Sequence, residues 1–228
     1  MSSGRLGATA AIGTMAGILL SGPLGILVVE LTHPQPPWAD AATFERAFHP
    51  IQSLPYLFGF LLVGSLVALL ASLHRAASAA TKARTTVALV LAAVFASMVF
   101  INYMLQTTFV PELARHARPE DHPLVAALTM ANPTSLAWAL EMWGYGFLGA
   151  ATWLVAPVFG ELAPTRLGRA TAFACVANGV VSIASAALTA MVPGWEITPG
   201  GTIGFAVWNA LLFALAALAY RVLRAAPR

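Results

Sequence analysis

Six apolar stretches, each long enough to cross a bilayer, leave this chain few folds to choose from. They run over roughly Ala8–Leu31, Ile51–Leu73, Thr86–Leu105, Leu136–Phe159, Ala170–Val192 and Ile203–Tyr220. A helix needs roughly 20 residues to cross about 30 Å of hydrocarbon, and each stretch is close to that. Charged residues make up 9% of the chain, where an ordinary soluble domain has roughly 25%. A soluble core does not account for so few charges. The pattern predicts an all-α, polytopic membrane protein. Residues 1–228 are expected to form a single bundle of six transmembrane helices, placed in the bacterial cytoplasmic (inner) membrane as a multi-pass protein.

Basic residues gather on the cytoplasmic side of membrane helices. With six spans, one side carries Arg5, Arg75, Lys82, Arg84, Arg166, Arg169, Arg221, Arg224 and Arg228. The other carries only Arg46, Arg115 and Arg118. This bias predicts that both termini are cytoplasmic. The longer connections then fall outside. Residues 32–50 hold Pro34, Pro36, Pro37 and Trp38 and are expected to start extended, with a short interfacial helix over Ala41–Phe48. The third helix is expected to continue to about His116, with a second surface helix over Glu120–Met130.

Two features predict how the helices pack. Gly13, Gly17, Ser21 and Gly25 follow at intervals of four and lay a ridge of small residues along the first helix. Such a ridge lets helix backbones approach closely in lipid. It is expected to pack within the chain, with an oligomer contact through the same ridge as the alternative. Pro23 is expected to bend this helix, because it lacks a backbone donor. On the fifth helix Asn178, Ser182, Ser185 and Thr189 share a face that should turn inward and bond to other helices.

Two of the apolar stretches contain a carboxylate, Glu30 in the first and Glu141 in the fourth. Taken from Pro133, Glu141 lies at a depth of about 12 Å by the helical rise. An ionisable group at such depth costs on the order of 2.5–3.5 kcal/mol on insertion scales. It is expected to face the bundle interior, with Tyr145 one turn further on the same face. Asn102, Tyr103 and Gln106 on the third helix stand at a similar level, as do Gln52 and Tyr56 on the second, Trp138 on the fourth, and Trp208 and Asn209 on the sixth. These residues predict a polar chamber open to the outer face, with Glu141 and Glu30 as candidate acid or base groups and the others as candidate ligand contacts. A carboxyl sheltered from water suits a proton donor, a proton carrier or a partner for a cationic ligand.

Other chemistry finds no support in the sequence. A lone cysteine, Cys175, forms no intramolecular disulfide. His33, His49, His116 and His122 lack the spacing of local metal-ligand pairs, so no metal site and no cofactor are expected. Nothing suggests nucleic-acid binding. The segment Asn102-Tyr103-x-x-Gln106, followed by Asn132-Pro133-x-Ser135-x-x-Trp138-x-x-Glu141-x-x-Gly144-Tyr145-Gly146-Phe147, resembles a pattern in uncharacterised bacterial six-helix membrane proteins. That resemblance implies the architecture and supplies no mechanism. The function expected is therefore binding of a small or lipid-like ligand in the outer chamber. An intramembrane enzyme, a proton-coupled carrier and a structural or accessory subunit are the alternatives.

Overall fold

A computed structural model describes residues 3–225. Its helices run in the order α1 (Ser3–Ser21), α2 (Pro23–Thr32), α3 (Ala41–Ala47), α4 (Leu54–Ala76), α5 (Ala79–Met104), α6 (Val110–His116), α7 (His122–Leu128), α8 (Leu136–Leu162), α9 (Arg166–Met191) and α10 (Pro199–Ala225). Six helical segments are long and apolar enough to cross a membrane. The first joins α1 to α2, and the third runs unbroken from α5 through α6.

The long helices close a ring. α1 packs on α4, α4 on α5, α5 on α8, α8 on α9, α9 on α10, and α10 returns to α1. Short connections favour neighbours in sequence as neighbours in space. The interior is filled by Val63, Leu66, Phe95, Val99, Leu148 and Leu212, all fully buried or nearly so. Outside the ring, Leu31, Val90, Phe173 and Ile203 are among many large apolar side chains left exposed. An apolar exterior of this kind suits hydrocarbon as the surrounding solvent.

The ridge on α1 meets α4. A Cβ placed on Gly17 would lie 2.6 Å from Leu62 Cα, and one on Gly13 would strike the Ser65 hydroxyl. The intrachain reading therefore holds at Gly13 and Gly17, and α4 covers the surface that an oligomer contact would need there. The same device joins α8 to α9, where a Cβ on Gly179 would come 2.8 Å from the Gly149 carbonyl oxygen. Pro23 breaks the first span at Gly22, as its missing N–H requires.

The third span is 38 residues long. At 1.5 Å per residue that is about 57 Å, well beyond a hydrocarbon core of about 30 Å. Its end, α6, projects past the ring and packs with α3 and α7 around Phe44, Val110, Leu113 and Val125. This small cluster caps one end of the bundle. The Asp40 side chain caps α3 by accepting from Thr43 N at 2.7 Å, and bonds to Thr43 hold its carboxyl below the ordinary aspartate range. Glu45 of α3 is buried and meets His122 of α7 at 3.1 Å. At the opposite end, Glu161 of α8 accepts from Ser78 N, Ser78 Oγ and Thr81 Oγ1, and so caps the start of α5. A carboxylate is favoured there by the unpaired amides of the first turn.

Side-chain caps stand at the starts of three of the long helices. His49 Nδ1 accepts from Ile51 N ahead of α4, Ser135 Oγ from Trp138 N at α8, and Thr198 Oγ1 from Gly201 N at α10. For α8 the cap is Ser135, so the helix starts three residues later than Pro133.

The α1–α4 contact predicts a paired outcome. Gly17→Ala should lower the unfolding temperature in detergent, at a cost of about 1–3 kcal/mol for overpacking against backbone. Gly64→Ala, where an added Cβ meets nothing within 4 Å, should leave it unchanged or raise it.

Candidate functional site

Glu141 stands five residues past the first residue of α8, about 7.5 Å along the helix axis. That is shallower than the sequence suggested, because α8 begins at Leu136. Both of its oxygens are partnered from α5. Tyr103 OH donates to Oε1 at 2.9 Å, and Asn102 Nδ2 donates to Oε2 at 2.9 Å. The Tyr145 hydroxyl lies 3.1 Å from that of Tyr103. A phenol has one proton, and that of Tyr103 is given to Glu141, so Tyr145 is the donor in this pair. The result is a chain of hydroxyls running from Tyr145 through Tyr103 to the carboxyl.

A second layer holds the donors in place. Gln106 Nε2 donates to Asn102 Oδ1 at 3.1 Å and to the Leu128 carbonyl at 2.8 Å, while its Oε1 accepts from Met130 N. Trp138 Nε1 donates to the Met130 carbonyl at 2.8 Å. The backbone over Leu105–Phe109 widens into a π turn just ahead of Pro111. Wide turns and a proline both disturb the regular carbonyl pairing. Ser53 Oγ donates to the Gln106 carbonyl at 2.9 Å and meets one such group.

Beside this network lies a cavity of about 370 Å³. Tyr56, Tyr103, Trp138, Glu141, Tyr145, Trp208 and Asn209 all line it. The structure thus brings together seven of the residues singled out from sequence. Tyr145 and Trp208 meet edge to face with centroids 4.6 Å apart, and Trp208 Nε1 donates to Ser182 Oγ at 3.1 Å. Ser182 therefore turns inward, as its face on α9 predicts. Asn178 does too, donating to Thr152 Oγ1 at 3.0 Å.

The other predicted residues take different places. Asn102 and Gln106 are buried behind Glu141 and do not line the cavity, so they position the acid. Gln52 is occupied by the loop: its Nε2 donates to the carbonyls of His33 and Ala47, and its Oε1 accepts from His49 N. Glu30 is exposed on α2 and does not line the cavity, so it is not a partner acid for Glu141. The break at Gly22 and Pro23 sets the face of α2 independently of α1, and a count along one continuous helix misses this.

A different acid shares the cavity. Glu196 lines it, and both its carboxylate oxygens are shielded without a hydrogen-bond partner among the described residues. Gly194, at φ 71°, reverses the chain into a short turn over Trp195–Ile197. Gly200 and Gly201 then let this turn lie against the start of α10, since a Cβ on Gly200 would fall 2.7 Å from the Trp195 ring. The place ahead of a helix N-terminus favours an acid. Glu196 lies between the fifth and sixth apolar stretches, where helical periodicity does not indicate facing.

The cavity wall is open on one side. Ile26 of α2 and Thr202 and Phe205 of α10 line it while remaining exposed. A Cβ on Gly204 would meet nothing within 4 Å. Comparison with protein-family models, with curated proteins and with solved structures finds no match to this chain.

Removing one donor tests the network. Tyr103→Phe leaves a buried carboxyl oxygen short of a bond and should cost about 1.5–3 kcal/mol of stability, the range for bonds to charged groups. In a Glu141→Leu background the same substitution should cost little. A double-mutant cycle followed by thermal unfolding measures the difference.

Proposed function

We propose that this chain is a membrane protein that binds a small or lipid-like ligand in the chamber beside Glu141. The observation that supports this best is the one-sided partnering of the acid. Asn102 and Tyr103 reach it from α5, and the cavity of about 370 Å³ lies beside it. Ligand sites are typically mostly apolar cavities of this order with a few fixed polar groups. The open side between α2 and α10 faces the apolar exterior, so a lipid-soluble molecule has a route from the bilayer.

In the proposed setting, a bacterial cytoplasmic membrane, the basic residues favour both termini inside and the α3–α6–α7 cap outside. The chamber then lies toward the outer leaflet.

A second reading is an intramembrane enzyme that uses Glu141 as its acid or base. The hydroxyl chain from Tyr145 through Tyr103 favours it, because it links the cavity to the carboxyl by proton-bearing groups. Glu30 has no part in this version. A carrier is less well supported, since Leu66, Leu70, Leu73 and Phe159 fill the ring beyond the chamber.

Thermal unfolding in nanodiscs with added membrane lipid extract tests the leading reading. The extract should raise the unfolding temperature of the native chain, and Glu141→Gln and Glu141→Ala should abolish the rise. An unchanged rise in both variants would rule out the chamber as the binding site. Turnover of an extract component, lost in Glu141→Gln while binding persists, would favour the enzyme.

A further inference from the structure

The chemistry of the lining narrows the ligand. Two acids, Glu141 and Glu196, share the cavity, and no Lys, Arg or His lines it among the described residues. An anionic head would meet like charge there with nothing to offset it. Glu196 is shielded and lacks a hydrogen-bond partner among those residues. A carboxylate in that state calls for a counter-charge, and the amides ahead of α10 supply only a partial one. Aromatic rings also surround the space, with Trp138, Tyr145, Trp195 and Trp208 in its wall. Ring faces attract cations, most strongly where water is excluded. The open wall at Ile26 and Phe205 is apolar and would let a tail pass between α2 and α10.

Resting on the ligand-binding reading above, we propose that the chamber selects an amphiphile with a cationic head and one apolar tail. The head is an amine or quaternary ammonium held between Glu141 and Glu196 against the aromatic wall. The tail leaves through the gap between α2 and α10. Glu141 is fixed by Asn102 and Tyr103, so it offers the rigid half of the site. Glu196 sits on a short turn and offers the half that adjusts.

Three probes with the same twelve-carbon scale and different heads test this: dodecyltrimethylammonium, dodecanol and laurate. Each is titrated against the full chain in maltoside micelles, with tryptophan fluorescence as the readout. The expected result is an apparent Kd for the ammonium probe about tenfold below that for dodecanol, a difference a desolvated cation–π site readily supplies. Laurate should bind most weakly. Glu196→Gln should remove most of the preference for the cation while leaving dodecanol affinity within about twofold, which is below 0.5 kcal/mol by the same conversion. Glu141→Gln should act in the same direction, and Glu196→Gln carries the test if that variant does not fold. Equal affinity for ammonium and dodecanol, or a preference that survives Glu196→Gln, would overturn the cationic head and leave the chamber standing. Tightest binding of laurate would overturn it as well. Failure of every probe to bind would remove the ligand-binding reading itself.

Discussion

A carboxyl group set among apolar helices has to find its hydrogen-bond donors inside the protein, and Glu141 finds them on one neighbouring helix. Asn102 and Tyr103 are adjacent in sequence, yet both reach it, one on each oxygen. That contact fixes the facing of α8 on α5 at the cap end of the bundle. It also fixes which wall of the chamber is polar. Without it the acid would stand in a medium where an unpaired charge is costly, and the simplest relief would be to rotate the helix or to lose the residue.

The donors are themselves held from outside the ring. Gln106 ties Asn102 to the backbone at Leu128 and Met130, and Trp138 returns from α8 to the Met130 carbonyl. The π turn over Leu105–Phe109 and the long third span carry this layer into the cap formed with α3 and α7. Acid, donors, turn and cap thus form one connected network. A network in which nearly every member is satisfied is rigid, and it keeps one wall of the cavity fixed. The opposite wall, where α2 and α10 stand with exposed apolar side chains and the Glu196 turn, is the less constrained side.

Much of this was legible in the sequence. Apolar length gave the six spans, and the cost of a buried carboxyl gave the inward facing of Glu141 with Tyr145 one turn further. The four-residue interval of small residues gave the close approach on α1, whereas the start of α8 was placed at Pro133 and the structure puts its cap at Ser135. What could not be read depends on contacts between distant segments or on local breaks. Glu30 was expected as a second acid of the chamber, but the break at Pro23 turns α2 independently and leaves it exposed. Gln52 looked like a lining residue, whereas its amide is taken by His33, 19 residues away. Asn102 and Gln106 have the right polarity and the right level, and depth alone does not distinguish a residue in front of an acid from one behind it. Glu196 comes from a loop, where periodicity carries no information about facing.

The central claim is that the acid of α8 is sheltered by α5 and not by lipid. Solid-state NMR of the chain in bilayers, with the glutamate carboxyl carbons and the aromatic and asparagine side chains labelled with carbon-13, addresses it directly. The account predicts magnetisation transfer from the Glu141 carboxyl to the Tyr103 ring and the Asn102 amide carbon. Transfer from acyl chains to that carboxyl, with no cross-peak to Tyr103 or Asn102, would contradict it.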